Sequence, residues 1–374
     1  MARSSSSIFF LFSLVAILIS TSCQAKSSEL LKNNVAGLFI FGDSFLDAGN
    51  NNYINTTTLD QANFWPYGET YFKFSTGRFS DGRLVSDFIA EYANLPLIPP
   101  FLQPGIREYY SGVNFASAGA GALVESFQGD VINLRTQLIY YKKVESLLRG
   151  KLGNDEARMR ISRAVFLFSI GSNDYTSPFL TNNFTLLHSF SESRYVAMVI
   201  GNLTTVIKQV YKSGGRKFAF MNVPQLGCLP VIRVINTENS GRCLGKLSLL
   251  AKLHNKVLSK LLFDLQKQLK GFKYSLFDLN SSLGKRMNHP SKYGFKEGKA
   301  ACCGTGKFRG VFSCGGKRLV KEFQLCENPN QYVFWDSIHL TEIANRQLAK
   351  EMWNGATNSH VIGPYNLKRL FQIP

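Results

Sequence analysis

The sequence predicts an α/β protein: a three-layer α/β/α sandwich around a central, mostly parallel sheet of five strands. Three observations predict it. Five apolar runs rich in aromatic and β-branched residues recur along the chain, and they are near-continuous, as in strands buried on both faces. Between them lie amphipathic stretches with three- and four-residue apolar spacing, the pattern of covering helices. Strand alternates with helix, with no internal repeat or low-complexity tract, which makes one doubly wound unit.

The chain opens with Arg3, a serine run and an apolar stretch from Ile8 to Ile19. A membrane-spanning helix needs roughly 20 apolar residues, more than this stretch supplies. One basic residue, a short apolar run and then small and polar residues read as a secretory signal peptide. Cys23 and Ala25 are the small residues before the expected cleavage site. The expected organisation is therefore a signal over residues 1–25 and a single domain over residues 26–374.

The strands are expected at residues 35–41, 113–116, 164–170, 217–223 and 274–279. Helices are expected at residues 131–149, 193–213, 244–270 and 341–352. In the third of these, Leu250, Leu253, Val257, Leu258 and Leu261 form a stripe that reads as core packing. Two stretches, 45–80 and 285–335, read as long irregular loops, which usually carry function or act as lids.

Six of the seven cysteines lie beyond the signal, at Cys228, Cys243, Cys302, Cys303, Cys314 and Cys326. An even number fits three disulfides in an oxidising compartment. A Cys228–Cys243 bridge would close a short loop, worth roughly 3 kcal/mol. The other four pair among themselves in an order the spacing leaves open. They lack paired C-x-x-C knuckles and a nearby histidine, so no metal is expected. Sequons at Asn55, Asn183, Asn202 and Asn280 agree with secretion, to the apoplast or cell wall, although Asn202 falls in a helical stretch.

Composition excludes some classes. Hydrophobic residues make up 45% and charged residues 18% of the chain, a globular balance. The net charge of +18 points to contact with anionic material such as pectic polysaccharide, phospholipid or a microbial surface. A secretory signal and the lack of a nucleic-acid-binding motif set nucleic acid aside.

Ligands in an open parallel sheet bind beyond the carboxyl ends of the strands. Gly42-Asp43-Ser44 follows the first strand, Ser117-Ala118-Gly119-Ala120-Gly121 the second and Gly171-Ser172-Asn173-Asp174 the third. Each alone reads as a turn or a helix cap. Of the five histidines, only His339 has an Asp three residues before it, Asp336. That spacing lets the carboxylate orient one imidazole nitrogen while the other accepts a serine proton. His188, His254 and His289 read as surface or capping residues. Asp43 and Asp47 read as braces of the serine turn. Residues 64–68, Phe64-Trp65-Pro66-Tyr67-Gly68, read equally as an acyl-pocket wall or as a packed loop anchor.

Taken in order, these blocks resemble the GDSL esterase/lipase family, also called SGNH hydrolases, over residues 39–352. The resemblance runs through Gly42-Asp43-Ser44-Phe45-Leu46-Asp47, Asn114-Phe115-Ala116-Ser117-Ala118-Gly119, Gly171-Ser172-Asn173-Asp174 and Trp335-Asp336-Ser337-Ile338-His339. Thr76-Gly77-Arg78-Phe79-Ser80 and Cys302-Cys303-Gly304 look like the secreted plant branch, and the wording is similar to its defence-associated lipases. The resemblance implies a flavodoxin-like SGNH fold. It implies Ser44 as nucleophile, His339 as general base and then acid, and Asp336 as its orienting partner. The oxyanion hole would comprise the backbone N–H groups of Ser44 and Gly119 and the Asn173 side chain. Leu340 stands where plant members often carry proline, a change expected to alter entry into the following helix.

The expected activity is hydrolysis of lipid or other acyl esters with no metal or organic cofactor, its rate rising with pH as the histidine loses its proton. Alternatives are a cell-wall polysaccharide acetylesterase, an acyltransferase using the same acyl-enzyme, and a defence glycoprotein acting mainly by binding.

Overall fold

The computed structural model describes residues 36–106, 108–236, 241–357 and 359–374. The leader expected over residues 1–25 lies outside them. The central sheet is built from β1 (Leu38–Gly42), β2 (Gly112–Asn114), β3 (Val165–Ser169), β4 (Lys217–Met221) and β5 (Lys273–Phe277). All five run parallel, in the order β5-β4-β3-β1-β2. Each strand overlaps its expected segment: β3 and β4 lie wholly within theirs, β1 runs one residue past its segment, and β2 and β5 each begin one residue ahead.

Phenylalanines at alternate positions bind the strands into one block. Phe39 stacks on Phe166 at 5.2 Å between ring centroids, and Phe41 stacks on Phe168 at 4.8 Å. Phe168 continues to Phe220 at 5.3 Å. Residues two apart share a sheet face, so both rows lie on one side. Tyr141 covers them, with its ring edge-on to Phe39 and Phe166. Tyr141 belongs to α2 (Leu134–Leu152).

α2 packs beside α5 (Glu192–Ser213), and α5 beside α7 (Gly245–Gln268), forming one helical layer. α1 (Val85–Tyr92) and α9 (Glu342–Asn354) pack against each other, with α10 (Leu367–Gln372) beside α9. The result is the expected three-layer sandwich. Residues 37–374 form one compact unit. Among the described residues, no helix is long and apolar enough to cross a membrane.

The sheet has six strands, one more than expected. The sixth, β10 (Ile362–Pro364), adds antiparallel to β5 at the edge. Three residues ending in proline carry no readable periodicity, and proline is tolerated on an edge. Helices that lacked a clear signal include α1, α3 (Asn154–Arg163), α4 (Ser172–Thr181), the short α6 (Pro230–Ile235), α8 (Leu279–Asn288) and α10. α4 and α8 begin straight after strand residues that dominate the local pattern.

The two long loops are held by buried polar bonds and disulfides. Asn50 Nδ2 donates to the carbonyls of Asn114 and Ala116, and Asn51 Nδ2 to those of Asp60 and Ala118. Arg78 forms a two-point ion pair with Asp87 of α1, both contacts 2.8 Å. Cys228 pairs with Cys243 as expected, and the four open cysteines pair Cys302–Cys326 and Cys303–Cys314. The cysteine loop also contributes β6 (Glu297–Ala301), β7 (Cys303–Gly304), β8 (Gln324–Leu325) and β9 (Tyr332–Phe334), paired β6 with β9 and β7 with β8. Cys302, Cys303, Phe64, Tyr67, Phe79 and Trp335 share a second, smaller core. The aromatic segment 64–68 is thus a packed loop anchor and does not line the cavity described below.

Candidate active site

Sheet order reverses between β1 and β3, which opens a crevice beyond their carboxyl ends. Gly42 ends β1 because no side chain fits there. A Cβ would lie 2.5 Å from the Ser169 carbonyl oxygen of β3. Gln137 of α2 clamps the same residue, accepting from Gly42 N at 2.9 Å and donating to Gly42 O at 2.8 Å. The chain then turns through Asp43 and presents Ser44, which is 7% exposed.

His339 Nε2 lies 2.7 Å from Ser44 Oγ, across 295 residues of sequence. Its Nδ1 lies 2.9 Å from both carboxylate oxygens of Asp336. The segment carrying the pair bends back on itself: Trp335 N donates to His339 O at 2.7 Å. Asp336 Oδ1 also accepts from the backbone N–H groups of Ile338 and His339, at 2.9 and 2.7 Å. Burial alone would push the Asp336 carboxyl up, but the His339 charge and these hydrogen bonds hold it well below the usual carboxylate range. Leu340 is buried, and helix α9 starts after it on a Thr341 cap to Ala344 N. The departure from proline is absorbed as core packing.

Three potential donors share a cavity with His339. The backbone N–H groups of Ser44 and Gly119 make no hydrogen bond among the described residues. Asn173, at the start of α4, spends one amide hydrogen on Ala120 O at 3.0 Å and keeps the second. A serine next to a base, with donors beside it, can attack a carbonyl carbon and hold the resulting oxyanion.

Buried carboxylates fix the donors. Asp174 accepts from Ala122 N, Leu123 N and Ser126 Oγ at 2.9, 2.9 and 2.7 Å, tying α4 to the Gly119 loop. Asp47 accepts from Gly49 N, Asn50 N and Ala118 N. Asp43 Oδ1 accepts from Phe45 N, while Oδ2 has no partner among the described residues. Burial, the largest cause, raises Asp43 to about 7 against that bond, with Asp174 and Asp47 adding to the rise. The bracing expected of Asp43 and Asp47 is present.

Sequence reasoning missed two residues behind Asp336. Tyr67 OH donates to Asp336 Oδ2 at 2.8 Å, and Arg318 Nη2 donates to Tyr67 OH at 3.1 Å. Arg318 is 2% exposed. The only hint was an arginine inside the disulfide-bonded loop. His254, expected at a surface or cap, is instead fully buried beneath Gly171, with Nδ1 2.8 Å from Tyr175 OH. Burial pushes it down to about 3, which keeps it neutral.

The cavity has a volume of about 200 Å³ and is largely apolar, walled by Phe45, Phe127, Phe179, Leu226, Ile232 and Phe312. Among the described residues no cluster of metal-ligating side chains is present. Of the sequons, Asn55, Asn183 and Asn202 are exposed. Asn280 is half-buried, and its amide nitrogen donates to Val223 O at 3.1 Å.

The family model described as GDSL-like Lipase/Acylhydrolase matches residues 38–352. GDSL esterase/lipase 5 of Arabidopsis thaliana is 64% identical, over 99% of this chain and 96% of its own length. GDSL esterase/lipase 1 of the same plant is 52% identical over 98% and 97%. The GDSL lipase of Tanacetum cinerariifolium is 48% identical over 95% and 93%.

Proposed function

The chain belongs to the GDSL-like lipase/acylhydrolase family and is a carboxylic-ester hydrolase, and we propose that it works through an acyl-enzyme on Ser44. The observation that carries this reading is His339, held between Ser44 Oγ at 2.7 Å and the Asp336 carboxylate at 2.9 Å. His339 Nε2 takes the Ser44 proton as Oγ bonds to the ester carbon. The carbonyl oxygen gains the electron pair and is held by the N–H groups of Ser44 and Gly119 and the Asn173 amide. Each such donor is worth about 3 kcal/mol in the transition state. The tetrahedral adduct collapses, and the alkoxide leaves with the proton from His339. Water, deprotonated by the same nitrogen, then releases the acid and restores Ser44.

The apolar walls suit an aliphatic acyl chain, burying methylenes at about 0.8 kcal/mol each. That favours lipid-like acyl esters over the acetyl groups of a cell-wall polysaccharide, which would leave most of the cavity unused. Secretion is part of the proposal: three disulfides suit an oxidising compartment, and three sequons are exposed. A role in plant defence is part of it as well, carried over from the sequence resemblance.

The test compares the purified protein with Ser44→Ala on acyl esters from acetate to long-chain acylglycerols. The expected result is turnover that favours longer chains and falls at least ~10³-fold in the variant. Equal turnover in both forms would overturn the role of Ser44. A biological effect that survives intact in Ser44→Ala would support the binding-glycoprotein alternative. Ester product formed from added alcohol, in preference to free acid, would mark a transferase.

A further inference from the structure

Asp60 is a buried carboxyl in the catalytic cavity that the mechanism above does not use. It closes a short turn, Thr58–Asp60, in the loop after β1. It is 7% exposed and lines the same cavity as Ser44, Gly119, Asn173 and His339. Thr57 Oγ1 donates to its Oδ2 at 3.0 Å, and Oδ1 accepts no hydrogen bond among the described residues.

Oδ1 sits directly against Gly119. A Cβ built on that glycine would fall 2.6 Å from it, so the missing side chain is what lets the carboxyl approach the oxyanion donor. The cavity lining holds Asp43 and Asp60 and no lysine or arginine, in a chain whose net charge is +18. Burial raises Asp60 to about 6, the Thr57 hydrogen bond and Arg318 pull it down, and Asp130 pushes it up. A carboxylate beside a forming oxyanion opposes it, as any two like charges at close range do. A substrate hydroxyl that donates to the carboxylate disperses part of its charge and eases that conflict.

We infer that Asp60 is a specificity-determining residue that accepts a hydrogen bond from a substrate hydroxyl close to the scissile ester. The site then takes hydroxylated acyl esters in preference to their plain counterparts and disfavours anionic ones. The inference rests on the acyl-enzyme reading and names its substrate class. The hydroxyl has two possible sources, a polyol alcohol or a hydroxy acid, and the experiment separates them.

Wild type, Ser44→Ala, Asp60→Leu and Asp60→Asn are assayed on two matched pairs. One pair is monooctanoylglycerol against propyl octanoate, and the other is ethyl 3-hydroxyoctanoate against ethyl octanoate. Wild type should prefer the hydroxylated member of at least one pair by about tenfold or more in kcat/KM. The pair showing the preference identifies the source. Asp60→Leu should bring that ratio close to one, through slower turnover of the hydroxylated ester and faster turnover of the plain one. Asp60→Asn keeps an acceptor oxygen at nearly the same volume, so it should retain part of the preference and guards against misfolding of the leucine form. A ratio near one for both pairs in wild type, or an unchanged ratio in Asp60→Leu, overturns the inference. Plain-ester turnover that disappears in Ser44→Ala preserves the acyl-enzyme reading in either case. If wild type turns over none of the four esters, both fall.

Discussion

Tyr67 donates its hydroxyl proton to Asp336 Oδ2 at 2.8 Å, joining the aromatic loop after β1 to the carboxylate behind His339. Arg318, from the disulfide-bonded loop, donates in turn to Tyr67. Both long irregular segments therefore meet behind the triad. One oxygen of Asp336 is occupied by backbone N–H groups and the other by a phenol, which leaves the carboxylate little freedom to rotate away from Nδ1.

Removing that phenol gives the first prediction. Tyr67→Phe keeps the ring in its pocket and deletes one hydrogen bond to a buried charge, a loss of about 2 kcal/mol. We expect kcat to fall roughly tenfold or more, with KM little changed. The Asp336 charge, less compensated, should also favour the protonated imidazole and move the acid limb of the rate profile to higher pH. A purely structural role for Tyr67 would lower the melting temperature and leave that limb in place.

Asp174 gives the second. Its carboxylate accepts from two backbone N–H groups and the Ser126 hydroxyl in the loop that carries Gly119. Asp174→Asn turns an amide hydrogen toward those donors and loosens the loop. We expect a fall in kcat approaching that of Asn173→Ala, about 10²- to 10³-fold. The combined variant should lose less than the product of the two if both act on the one proposed oxyanion site. Multiplicative losses would show that Asp174 does not work through that site.

The strands and their ends were legible because β1 and β3 are solid apolar runs that stop at Gly42 and Ser169, and polar motifs follow immediately. Asp336 and His339 were legible because only one histidine had a carboxylate at a useful spacing. Tyr67 and Arg318 were not, because neither has a local pattern; their roles arise from two loops folding onto each other across 251 residues. Asp60 was hidden for the same reason: its significance depends on Gly119, which only the folded loop brings beside it. β10 was missed because three residues at a sheet edge are set by their neighbour and not by their own sequence. The four open cysteines needed three-dimensional proximity to choose among three pairings.

The third prediction concerns stability and pH. Burial, against their hydrogen bonds, raises Asp43 to about 7 and Asp47, Asp81 and Asp174 to about 6. Between the ordinary 3.8 and these values the folded protein holds protons that the unfolded chain has released. Their contribution is full below the ordinary value and is lost as pH climbs through the raised ones. Asp336, held low, acts oppositely: its contribution is present above the ordinary value and is lost as pH falls through its depressed one. The melting temperature should therefore be highest near pH ~4–5 and decline toward pH ~8. Calorimetry across that range checks this, and Asp43→Asn, which cannot ionise, should flatten the decline. A melting temperature that rises steadily to pH ~8 would contradict it.

The last prediction concerns the sequons. Oligosaccharyl transfer needs the asparagine amide nitrogen exposed on a surface segment. Asn55 and Asn183 present theirs on exposed loops, and Asn202 sits on the outer face of α5. Asn280 instead lies in the first turn of α8, where its amide nitrogen reaches Val223 O and its backbone N–H donates to Asn222 Oδ1. A glycan there would sacrifice the bond to Val223 and have to leave a half-buried site between two strand ends. In protein secreted from a plant cell, Asn55→Gln and Asn183→Gln should each remove one glycan's mass. Asn280→Gln should leave the glycan complement unchanged while lowering the melting temperature by a few degrees, as expected for loss of a partly buried hydrogen bond worth about 1 kcal/mol. Intact-mass spectrometry reads the first outcome directly, and a lost glycan in Asn280→Gln would mean that glycosylation precedes the packing of this turn.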